Sequence, residues 1–160
     1  MLRACHVRIL DQCSTLHKLL QHLPVNGCDV QAQQAAQAIL RYFDTAGQYH
    51  HQDEELDLFP LLLATNHATA RGLVGRLLAE HQEMNAAWMR LRPRLQNIAN
   101  GISTELESNL VENFSAAYER HIALENAQLL PLAAQLLNEQ QLDSLGEKMA
   151  NRRGVEIKPS

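Results

Sequence analysis

The sequence predicts an all-α protein, an up-down four-helix bundle followed by a short C-terminal helix. Three observations carry that prediction. Of 160 residues, 46% are hydrophobic but only 4% aromatic, so the apolar content rests mostly on Leu and Ala, which favour helices over β-sandwiches. Apolar residues recur at helical spacing in four long stretches. The connections between these stretches are short, with no strand-like run and no low-complexity linker. The length is close to a usual domain of about 150 residues, and a single domain over 1–160 is expected, with the bundle over 9–137.

The elements follow in order. Ile9, Cys13, Leu16, Leu20 and Leu23 place a first helix that stops at Pro24-Val25-Asn26-Gly27. Asp29 can cap a second helix of about 30 residues, carried by Ala36, Ile39, Leu40, Phe43 and Gly47 towards Leu58-Phe59-Pro60. Periodicity lapses around Thr65–Thr69 and returns at Val74, Leu77, Leu78, His81, Met84, Trp88, Leu91, Leu95 and Ile98 until Gly101. This third helix is expected to bend near Pro93, which lacks the N–H for one rung of the ladder. Ser103 followed by Glu105 opens a fourth helix, with Leu110, Phe114, Ala117, His121 and Leu124 on one face up to Leu137. A tail helix is expected from Asp143 or Ser144 to about Arg152.

Composition also excludes function classes. Fourteen Lys and Arg against 18 Asp and Glu give a formal charge of −4, leaving no basic excess to neutralise phosphates, so no nucleic-acid partner is expected. The longest apolar stretch, Leu58 to Ala64, contains Pro60, whereas a membrane-spanning helix needs about 20 residues. Arg8 and Asp11 follow closely on the N-terminus, so no signal peptide can be placed there. Cys5, Cys13 and Cys28 show no CxxC spacing, which points to a reducing, cytoplasmic setting. Cys13 falls on the apolar face of the first helix; Cys5 and Cys28 are expected in less ordered, exposed surroundings. No nucleophile-and-base pair or glycine-rich phosphate loop marks a conventional enzyme.

Eight histidines in 160 residues ask for an explanation. Two segments align without a gap, His50 to Pro60 and His121 to Pro131, and both read H-x3-E-x5-P. Residues four apart share one helix face, so such a His and Glu can offer a nitrogen and a carboxylate oxygen to one metal centre. The shared proline selects His50 over His51 and Glu54 over Glu55. Periodicity agrees, since His50 lies seven residues after Phe43 while His51 lies seven after Asp44. His121 lies seven after Phe114, and Glu125 continues that line. Two inward carboxylates, each a turn from an inward His, are most simply explained by a cation between them.

The remaining helices supply one inward histidine each, His17 in line with Cys13 and Leu20, and His81 among Leu77, Leu78 and Met84. The expected metal ligands are therefore His17, His50, Glu54, His81, His121 and Glu125. His6, His22, His51 and His67 fail the same test and are expected at the surface. Glu80 and Glu83 are expected on a solvated face, from which either can reach a ligating imidazole.

With these residues in place, the chain resembles the hemerythrin-like, or HHE cation-binding, family over about 9–153. The doubled H-x3-E-x5-P carries most of the likeness, with His17, Glu80-His81 and a tail ending in Arg152-Arg153-Gly154 beside it. The resemblance implies a non-haem di-iron centre inside a four-helix bundle, with Glu54 and Glu125 bridging two oxo- or hydroxo-linked irons. Oxygen-carrying members have two ligating histidines four apart on the third helix, but Leu77 and Asn85 stand four residues either side of His81. A set of four His and two Glu is similar to bacterial proteins associated with repair of iron centres after nitric oxide or peroxide stress. Those commonly carry an extra N-terminal cysteine-containing domain with no counterpart in these residues. The expected function is binding of, or response to, O2, NO or peroxide at two irons, for which Zn or Mn can substitute. Redox turnover at such a centre stays open. An iron donor that serves a redox or iron-acceptor protein, and a metal-free helical interaction module, are the alternatives.

Overall fold

The computed structural model describes residues 1–156. Five helical rods follow one another: α1 (Leu2–Asn26), α2 (30–64), α3 (Ala68–Ala99), α4 (108–136) and α5 (Glu139–Arg152). No strand occurs among the described residues. α1 packs on α2, α2 on α3 and α3 on α4, and α1 closes the ring against α4, as an up-down bundle requires.

Several boundaries differ from expectation, each for a local reason. α1 begins at Leu2 rather than Ile9, and it runs through Pro24 to Gly27, whose φ of 70° ends it in a conformation glycine tolerates. α2 is interrupted at Thr45 (φ −122°, ψ −83°), where the Thr45 hydroxyl donates to the Arg41 carbonyl four residues back. α3 begins directly after His67, whose Nδ1 accepts the Ala70 N–H at 3.4 Å. α4 starts at Ser108 rather than Ser103; residues 103–107 have no regular structure and are tied down by an Arg94–Glu107 ion pair of 2.8 Å. α5 starts at Glu139, earlier than expected, because Asn138 and Gln141 form a reciprocal capping box.

The interior is divided. One apolar core, with Ile9, Cys13, Leu16, Phe43, Trp88, Phe114 and Tyr118 among its members, draws on α1 to α4. A second, with Leu58, Phe59, Leu62, Val74, Leu77, Leu129, Leu145 and Met149, fills the other end. The apolar face of α5 closes that second end through Leu145 and Met149, and Leu2 of α1 packs against it. His50, Glu54, His81, His121 and Glu125 lie between the two cores.

Candidate metal centre

Each H-x3-E-x5-P segment contains a widened helical turn. In α2 the Phe59 N–H bonds the Glu54 carbonyl, and in α4 the Leu130 N–H bonds the Glu125 carbonyl. Both are five-residue, π-type steps that begin at the glutamate and end just before the proline. A proline inside a helix lacks its N–H and crowds the carbonyl four residues back; one extra residue in the turn relieves that crowding. The x5 spacing is thus the length of the π turn, a feature frequent at functional sites.

The two glutamates and four histidines meet at one level of the bundle. Glu54, His81, His121 and Glu125 offer ligand atoms within 4.8 Å of one another, as do His6, His50 and Glu125. All of these side chains are buried. The carboxylates divide their oxygens between two histidine pairs. Glu54 Oε1 lies 2.9 Å from His50 Nε2, and its Oε2 lies 3.7 Å from His81 Nε2. Glu125 Oε2 lies 2.7 Å from His6 Nε2 and 3.7 Å from that of His50, while its Oε1 lies 2.7 Å from His121 Nε2. The Nε2 atoms of His81 and His121 face each other at 3.1 Å.

The outward nitrogens are held from behind. His81 Nδ1 donates to Glu55 at 2.7 Å, and His6 Nδ1 pairs with Asn126 Oδ1 at 2.8 Å. Glu80 is one-fifth exposed and stands 3.9 Å from His121 Nδ1. Such partners orient an imidazole so that its other nitrogen points at a metal. Among the described residues, His6 Nε2, His50 Nε2 and both oxygens of Glu54 and of Glu125 lack a well-aligned hydrogen bond despite full burial. Buried polar atoms are ordinarily paired, and a nitrogen–oxygen donor set of this kind suits Fe, Zn or Mn. The residues fit a pair of metal ions.

Without cations the site is electrostatically strained. Burial, then repulsion from Glu125, holds the Glu54 carboxyl well above the usual carboxylate range. Burial opposes ionisation of Glu125 too, but the close polar contacts of Glu54, His121, His50 and His6 outweigh it and hold that group well below the range. Burial likewise opposes charge on His50, yet Glu54, Cys5 and Glu125 together raise it well above an ordinary imidazole. Dications held at this level would balance the carboxylate charge that burial disfavours.

Five of the six expected residues are brought together: His50, Glu54, His81, His121 and Glu125. His17 belongs to neither group and is half-buried. The residue from α1 is His6, expected at the surface but 2% exposed. Eleven residues are almost exactly three helical turns, so His6 and His17 have nearly the same phase but differ by about 16 Å along the axis. His17 shares the helical phase of the cluster but not its level. The missed signal was His6-x2-Ile9-x3-Cys13, which continues the apolar stripe one step towards the N-terminus.

His51 is also not at the surface; it is 4% exposed. The interruption at Thr45 cancels any phase counted from Asp44, and α2 is buried on two sides here. His50 faces α1, with its ring 5.0 Å from that of His6, while His51 stacks on His81 of α3 at 4.1 Å. Burial and the neighbouring His81, His50 and His121 keep His51 well below the ordinary imidazole range. His22 and His67 are half-buried; His22 bonds Asp29 at 2.8 Å. Cys5, expected exposed, is buried beside His50, whose contact, together with Arg153, outweighs burial and lowers the thiol.

α5 anchors the π turn that carries Glu54. Asp53 is wholly buried and receives both Arg152 and Arg153, the latter through Nη2 at 2.6 Å, while Arg152 Nη2 reaches Asp57 at 2.6 Å.

No helix among the described residues is long and apolar enough to cross a membrane. The hemerythrin HHE cation-binding domain matches residues 1–133, which includes the whole ionisable cluster and stops short of α5. An uncharacterized protein of Haemophilus influenzae is 32% identical over 155 residues, 97% of this chain and 89% of that one. With this match over most of its length and a buried His and Glu cluster built for metal, the chain belongs to the hemerythrin HHE cation-binding family.

Proposed function

We propose that this protein holds two iron ions, one between His6 and His50 and the other between His81 and His121, with Glu54 and Glu125 bridging them. The observation that carries this reading is the division of each carboxylate's oxygens between the two histidine pairs. A single mononuclear site gives no reason for that division. Four nitrogens and two shared carboxylates leave coordination positions of two irons unfilled by protein, and the pair would supply electrons to a small ligand there. The function proposed is binding of, or response to, O2, NO or peroxide.

The protein's own part is orientation and exclusion. Glu55 and Asn126 fix the tautomers of His81 and His6 so that Nε2 points inward. Phe43, Trp88, Phe114 and Tyr118 on one side, and Leu58, Phe59 and Leu77 on the other, keep bulk water from the carboxylates.

The test is anaerobic loading with ferrous iron, then exposure to oxygen with absorption spectroscopy. Two irons per chain and oxo-to-iron charge-transfer bands are expected. Uptake of no iron, or of one, overturns the reading. Rapid loss of reduced iron to a chelator would instead mark an iron donor.

A further inference from the structure

His51 is a buried imidazole that the ligand set does not use. Among the described residues neither of its nitrogens has a hydrogen-bond partner, although both are shut off from solvent. One ring face lies against His81, 4.1 Å away and tilted by 18°. Tyr118 is also near-parallel, at 6.0 Å and 13°. His50 and His121 stand 6.3 and 6.4 Å away at steep angles. Three of the four histidines assigned to the irons therefore surround His51, yet it shares no ligand group with them.

A neutral imidazole always carries one N–H donor and one acceptor nitrogen, and natural structures rarely bury both unpaired. With aromatic rings stacked along its plane, the polar edge of His51 is what remains for another molecule to use. The surroundings are apolar or already engaged: Phe59 stacks on His81, and Tyr118 belongs to the aromatic core.

Resting on the di-iron reading above, we propose that His51 donates a hydrogen bond to a small exogenous ligand held at the centre, one with an acceptor atom at its free end. His51 is then a selectivity residue that favours polar or anionic ligands over apolar diatomics, because only the former gain from a fixed donor in a dry site.

Azide is a suitable probe, since it is small, anionic and has acceptor nitrogens. Its dissociation constant is measured by absorption titration of the iron-loaded protein for wild type, His51→Leu and His51→Gln, with iron content determined on the same samples. Two irons are expected in all three. His51→Leu is expected to weaken azide about tenfold or more, equivalent to about 1.4 kcal/mol; His51→Gln, which keeps an N–H, is expected to stay within about threefold of wild type. Equal affinity in wild type and His51→Leu overturns the proposal, and so does an equal loss in both variants, which would mark ring size rather than the donor. Loss of iron from either variant overturns it differently, by making His51 a metal ligand. If wild type itself takes up no iron pair, it is the di-iron reading that fails.

Discussion

The ion-pair cluster that fastens α5 to α2 allows a prediction of sign and order. Asp53 is 0% exposed, whereas Arg152 and Arg153 are 17% and 20% exposed. Replacing both arginines by alanine leaves a fully buried carboxylate with no cation. Breaking a buried pair from one side costs about 3–5 kcal/mol, which for a chain of this size is a fall in Tm of roughly 10 °C or more. Asp53→Asn leaves the opposite residue, two arginines near the surface that can turn to water, and Asp57 still pairs with Arg152. It should cost about half as much or less. The triple variant should then be more stable than the double arginine variant, because it removes the buried charge that the arginines had balanced. Urea unfolding of the metal-free protein measures all three. A triple variant at the sum of the separate losses, or Asp53→Asn as damaging as the double variant, refutes the reasoning.

Glu54 and Glu125 should behave differently in the metal-free protein. Burial and the neighbouring Glu125 disfavour charge on the Glu54 carboxyl, so Glu54→Gln is expected to cost less in Tm than Glu125→Gln, which removes the carboxylate in contact with both His6 and His121; both should abolish uptake of the second iron, and calorimetry with metal analysis checks each. Asp44 is held below the usual Asp range first by Arg92, against a burial effect, and by the Trp88 N–H. Its stabilisation is therefore present above the unfolded pKa of about 3.9 and lost as pH falls through the lower folded value. Asp44→Ala should cost about 1–2 kcal/mol at pH 7 and clearly less at the lowest pH where the fold survives, as read by urea unfolding. Thiol titration of the folded protein should label Cys28 readily. Cys5 and Cys13 are 4% and 2% exposed, and Cys13 is pushed up to about 12 by burial, so these two should react only on unfolding.

Much of this was legible because the same chemistry is written twice. The H-x3-E-x5-P repeat identified His50, Glu54, His121 and Glu125 without knowledge of how the helices pack, since i to i+4 spacing is a property of one helix. His81 followed from its apolar neighbours. The α1 histidine of the cluster was harder to place because helical phase does not determine height: His6 and His17 sit nearly in line, and only the packing of α1 beside Glu125 shows which joins the cluster. His51 was misplaced because a periodic count assumes an unbroken helix and a single buried face, and Thr45 and the two-sided burial of α2 violate both. The role of α5 was also invisible. That Arg152 and Arg153 meet Asp53 depends on a contact across about 100 residues of chain, on which local pattern carries no information.

Metal content measured side by side for wild type, His6→Ala and His17→Ala tests the central claim most directly. After anaerobic iron loading and removal of free metal, two irons per chain are expected for wild type and for His17→Ala, and one or none for His6→Ala. Two irons in His6→Ala, or their loss in His17→Ala, would contradict the centre as it is built here.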